Sequence, residues 1–127
     1  MRQALDVTLL LEPGATPDTG HDLAIVTTRF DETRADITAA GALVGAGARL
    51  LHEVLDAHMR AARLYLRLDL SKVDQIDDAG AATLAGAHER LFARHGTLIL
   101  TQVSAQARAA LDARGLERRL LILGAVV

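Results

Sequence analysis

The sequence has no cysteine, no tryptophan and few aromatics of any kind. Without cysteine there can be no disulfide, no thiolate nucleophile and no thiolate metal ligand, which fits a cytoplasmic setting. With only Phe30, Tyr65 and Phe92 as aromatics, the core must be packed from Leu, Val, Ile and Ala. The same scarcity removes any platform for stacking single-stranded nucleic acid. Lysine is scarce too, Lys72 being the only one, and 14 Lys+Arg against 16 Asp+Glu give a formal charge of -2. That balance lacks the concentrated positive field that a phosphate backbone attracts, so no nucleic-acid partner is expected. Long apolar runs are missing as well. The longest, residues 120–127, falls far short of the roughly 20 residues that span a bilayer. The first residues carry Asp6 and a Pro13-Gly14 break where a secretory signal would place a basic start and an apolar stretch. A soluble, cytoplasmic chain without membrane insertion is the expectation. At 127 residues, half of them hydrophobic, it should form one domain around one core.

What is present falls into ordered pieces. Residues 1–22 hold a short apolar stretch, 7–11, and a dense cluster of turn formers, 12–20, which reads as an N-terminal arm or an extra edge strand tied by a loop. From Leu23 the pattern alternates over 23–30 and 34–39 around a polar Asp31-Glu32-Thr33, a β-hairpin signal. Leu43, Leu50, Leu51, Val54, Leu55 and Met59 recur at helical spacing. Residues 64–70 then place Leu at every second position, opposite Tyr65, Arg67 and Asp69. One dry and one polar strand face argues for helices on one side of the sheet only. A helix over 78–95 is predicted next, with Leu84, His88, Leu91, Phe92 and His95 on one side and Gly96 as its left-handed cap. A strand over 97–103, a helix from the N-cap Ser104 to about Gly115, and a short apolar C-terminal segment of no assignable type complete the chain.

Four carboxylates, Asp69, Asp74, Asp77 and Asp78, lie between the central strand and the second helix, where strand ends often collect ligands. They could serve a divalent metal, or Asp77 or Asp78 could cap the helix, which its backbone N–H groups and dipole both favour. None of His21, His52, His58, His88 and His95 forms an H-x-x-x-H pair. His88 and His95 fall on the apolar side of their helix, and His52 and His58 are expected at the surface or rim. The glycine-rich residues 41–47 lack a phosphate-binding pattern and read as a tight strand-to-helix turn. Ser71 and Ser104, the only serines, lie outside any nucleophile motif.

The order of these pieces resembles the STAS domain of bacterial anti-sigma factor antagonists and of several transport systems, over about residues 23–121. Residues 66–84, LRLDLSKVDQIDDAGAATL, are similar to the family's strand, Asp-Leu-Ser turn and Asp-Ser-Ser-Gly helix start. Residues 103–111 followed by Gly115-Leu116 are similar to its third helix and Gly-Leu exit. The resemblance implies an α/β, STAS-like fold: a four- or five-stranded mixed β-sheet with helices mainly on one face, in the order β-β-α-β-α-β-α, occupying residues 23–127. In the antagonists, the first serine of that motif is phosphorylated by the anti-sigma factor's kinase domain, and phosphorylation ends binding. Asp78 stands at that position and Ala79 at the next, so no phosphorylation site is carried over, whereas Asp77 and Gly80 match. The family's Gly-Glu-Leu-Asp turn also loses both acids in Gly41-Ala42-Leu43-Val44.

The expectation is therefore a non-enzymatic protein-interaction module with no catalytic residues, cofactor or metal. Its partner surface would comprise Asp77, Asp78, Ala79, Gly80 and Thr83. The partner would be an anti-sigma factor or, in the alternative, a membrane transporter for which the chain is an accessory STAS subunit. A homodimer is compatible with either. A third reading is a metal-dependent hydrolase using Asp69, Asp74, Asp77 and Asp78.

Overall fold

The computed structural model describes residues 23–123. The arm or edge strand expected over 1–22 lies outside the described residues, as do 124–127. The predicted hairpin forms from β1 (Ala24–Phe30) and β2 (Arg34–Leu43), paired antiparallel. Its turn is closed by Asp31, whose carboxylate accepts N–H bonds from Thr33 (2.8 Å) and Arg34 (3.0 Å). Helix α1 (Ala46–Arg60), strand β3 (Tyr65–Ile76), helix α2 (Asp78–Ala93), strand β4 (Thr97–Val103) and helix α3 (Ala105–Ala113) follow. A 3₁₀ turn (Leu116–Arg118) leads into β5 (Leu121–Ile122), the role of the unassigned apolar segment.

The five strands lie in sequential order β1-β2-β3-β4-β5, and every pairing after the hairpin is parallel. The strand alternation decides where the helices go. Ile25, Ile37, Leu66, Leu68, Leu70, Leu98 and Leu100 point to one side and share a single core with Leu51, Leu55, Leu84, Leu91, Ala107 and Leu111 of the helices. Tyr65, Arg67, Thr97 and Ile99 occupy the other, helix-free side, giving the two-layer arrangement that the residue pattern predicted.

Four local expectations need correction. Strand β3 does not stop at 70 but runs through Ile76. Register shifts against β2, after Thr38 and after Gly41, let Leu70, Val73 and Ile76 all turn inward, and so hide the period of two. His58 is not at the rim but buried, 1% exposed. Phe92 is not on the packed side of α2 but 72% exposed, because Leu84, Ala87 and Leu91 already fill the stripe facing the sheet. Finally, the left-handed residue after α2 is His95 (φ 67°), not Gly96. The His95 N–H bonds to Phe92 O and the Gly96 N–H to Leu91 O, a Schellman closure. Gly96 serves close approach instead, since a Cβ there would lie 2.3 Å from Leu64 O.

Candidate functional site

The five residues expected to form a partner surface sit where β3 hands over to α2. Asp77 is the N-cap in extended conformation, and its Oδ1 accepts the Gly80 N–H at 2.8 Å. Its Oδ2 accepts the Gly45 N–H at 3.1 Å, from the turn between β2 and α1. One carboxylate therefore joins two strand-to-helix junctions, and the Asp77 N–H adds a bond to Leu43 O. Gly80 is buried against the end of β2. A Cβ there would stand 2.2 Å from Leu43 O and 3.1 Å from Ile76 Cγ2, so only glycine lets the first turn of α2 approach this closely. Thr83 is half-buried and its hydroxyl donates back to Ala79 O at 3.0 Å.

Asp77, Gly80 and Thr83 thus build the junction, and Asp78 and Ala79 are what it presents. The Asp78 side chain is 96% exposed at the first helical position, where negative charge is favoured by the helix dipole. Its Oδ1 accepts a bond from Arg114 Nε at 2.9 Å, and Arg114 Nη1 donates to Ala110 O of α3. Arg114 is the member of this surface that the sequence did not reveal. It lies 36 positions away from Asp78 in the chain, with no motif to link them.

The four aspartates do not converge. Asp69 faces the helix-free side and accepts the Ser71 N–H, Asp74 lies exposed within β3, Asp77 is occupied by two backbone donors, and Asp78 pairs with Arg114. Among the described residues no group of three or more His, Asp or Glu is placed to hold a metal ion. Ser104 is likewise structural: it is buried, donates to Val73 O and caps α3 through the Ala107 N–H.

The histidines separate in the same way. His52 is exposed and His88 stacks on Phe92 with ring centroids 6.2 Å apart. Buried His58 contacts Thr27 Oγ1 through Nε2 (3.0 Å) and Arg63 Nη1 through Nδ1 (3.2 Å). Arginine can only donate, so Nδ1 accepts and Nε2–H donates to Thr27, which requires a neutral ring. Burial pushes the His58 pKa down from 6.5 to about 4, helped by the Arg63 charge. Arg63 also donates to Asp31 O and lies 4.4 Å over the Phe30 ring. This network ties α1 to the hairpin.

No curated protein matches the sequence. Solved structures do match the fold. An anti-sigma factor antagonist, SpoIIAA in its unphosphorylated form, superposes with a TM-score of 0.69 at 18% identity, covering 81% of this chain and 89% of its own. An anti-sigma factor antagonist from Mycobacterium paratuberculosis gives 0.71 at 18% identity, covering 84% and 90%. The protein TM1081 gives 0.64 at 15% identity, covering 89% of each chain. The family model described as "Mlab, STAS domain" matches residues 26–124, and the chain therefore belongs to the STAS domain family.

Proposed function

We propose that the protein is a non-enzymatic interaction module resembling an anti-sigma factor antagonist, with its contact surface centred on Asp78 and Ala79 and with no phosphorylation switch. The observation that supports this most is the division of labour at the β3–α2 junction. The positions that match the family motif, Asp77 and Gly80, are consumed by the fold, and the two that depart from it are exposed. Asp78 cannot accept a phosphoryl group as serine would, and its carboxylate keeps a constant negative charge at the helix start. Pairing with Arg114 offsets that charge, so the surface is neither the bare serine state nor the phosphorylated one.

Affinity capture with the wild type, Ala79→Glu and Asp78→Arg tests this reading. An acidic residue in the first turn of α2 is tolerated by the helix, so Ala79→Glu blocks the surface without unfolding it. A protein retained by the wild type and lost by both variants is the expected result, and a regulator with a histidine-kinase-like domain would fit the antagonist role. A membrane ATPase or permease in that place would move the protein to transport. Retention of the same protein set by all three would place the surface elsewhere.

A further inference from the structure

The two helices that border the candidate surface carry no isolated charge. The charged side chains are Asp78, Glu89 and Arg90 on α2 and Arg108 and Asp112 on α3. Each is half of an ion pair: Asp78 with Arg114, Glu89 with Arg119, Arg90 with Asp56, and Arg108 with Asp112. Of these pairs, Asp78 with Arg114 alone joins the start of α2 to the end of α3. The alanines exposed in the adjoining turns are Ala79, Ala82 and Ala113. Helix α1, which Thr83 meets at Ala48 O, adds Arg49 and Glu53, one charge of each sign.

The pair is built asymmetrically. The Arg114 side chain is 31% exposed and held at two points, Nε donating to Asp78 Oδ1 and Nη1 to Ala110 O, both at 2.9 Å. Its backbone is fixed as well: Arg114 is the C-cap of α3, donates its N–H to Leu111 O and is followed by the left-handed Gly115 (φ 70°). Asp78 stands out into solvent, so the carboxylate depends on the arginine for its partner and not the reverse. Each charge also sits at the helix end that favours its sign. In water such a pair contributes little to stability. Under a docked protein the balance changes, because a lone charge shut away from water is far more costly than a compensated pair. A compensated pair among alanines therefore suits a partner that brings no formal charge of its own to this point, whereas a lone carboxylate would require a cation.

We propose that Arg114 is a specificity-determining residue of the docking surface and acts through Asp78, the two side chains being recognised as one neutral unit by a protein surface that is uncharged opposite them. This role rests on the start of α2 being the docking place, as proposed above. Affinity capture from the native lysate is quantified for the full chain, Asp78→Asn, Arg114→Gln, the double variant Asp78→Asn/Arg114→Gln and Ala79→Glu, with a urea midpoint measured on each. The protein held by the wild type and lost by Ala79→Glu should be held about tenfold less by each single variant, one leaving a lone cation and the other a lone anion. The double variant, with no charge at either position, should return to within about threefold of the wild type. Damage to packing at Arg114 would persist in the double variant, so recovery there separates charge balance from structure. If Ala79→Glu loses the protein but either single variant keeps it, or the double variant does no better than the weaker single, the pair is not recognised as a unit although the docking place is right. Loss by Asp78→Asn and by the double variant, with Arg114→Gln unaffected, is the pattern of a partner cation opposite Asp78 and overturns the proposal in the same way. If Ala79→Glu loses no protein, the docking place itself is wrong and the role of Arg114 falls with it.

Discussion

Asp77 and Asp78 are neighbours with the same side chain and opposite duties, and the difference is set by which backbone donors each can reach. Asp77 holds N–H groups from two junctions, so Asp77→Ala should destabilise the domain by about 2 kcal/mol in urea unfolding, at the upper end for an N-cap. Asp78 is exposed and its ion pair is screened by water, so Asp78→Ala and Arg114→Ala should each shift stability by less than about 1 kcal/mol. Gly80→Ala should cost about 1–3 kcal/mol, because the new methyl group meets a backbone carbonyl rather than a side chain that can turn away. At His58 the consequence is a dependence on pH. The unfolded ring protonates near 6.5 and the folded ring only near 4, so the unfolded state binds the extra proton between those values. Stability from this group is complete above about pH 6.5 and is lost as the pH falls towards 4, by up to about 3 kcal/mol. The Asp31 carboxyl, held low by the Thr33 and Arg34 N–H bonds, releases its contribution only below the usual carboxylate range. His58→Gln, which does not titrate, should flatten the wild-type slope between pH 6.5 and 4.5 in urea midpoints. An equal slope in both would show that His58 is not the responsible group.

At the scale of elements, the end of α2 shows how a fold can place glycine next to a left-handed position without using it there. His95 bears the positive φ and Gly96 the close approach to Leu64 O. Exchange of a side chain for glycine at the left-handed position removes its strain, so His95→Gly should raise stability by about 0.5–1 kcal/mol. Gly96→Ala should lower it, the reverse of what a left-handed Gly96 would give. Both are read from denaturant midpoints. The elements themselves were largely legible in the residues: the hairpin, three helices and the alternating strands followed from periods of two and of 3.6. What was not legible arose from contacts between elements. The bulges that carry β3 on to Ile76 depend on its pairing with β2. The burial of His58 depends on Thr27 and Arg63 reaching it from β1 and from the connection before β3.

For the molecule as a whole, the two-layer arrangement was foreshadowed by a single observation, the strict Leu alternation ahead of Leu70, which leaves one side of the sheet without helices. The candidate site was legible in part. Residues 77–84 identified its place through the family motif and an N-cap signal, but no local rule connects Asp78 to Arg114 across 36 positions. The engagement of Asp69, Asp77 and Asp78 with separate partners, and the exposure of Asp74 within β3, also bear on the hydrolase reading, since a divalent ion needs several oxygens converging at about 2.0–2.6 Å. Calorimetric titration with Mg²⁺ or Mn²⁺ should accordingly give no saturable heat, and a stoichiometric binding isotherm would reopen metal chemistry. The proposed docking place for a partner is the exposed start of α2. Its most direct test is site-specific photo-crosslinking in the native cell, with a photoreactive residue at Ala79 and, as a control, at Ala109 on α3. A defined adduct from position 79 and none from position 109 is the predicted result, whereas adducts from 109 alone, or none from either, would contradict the claim.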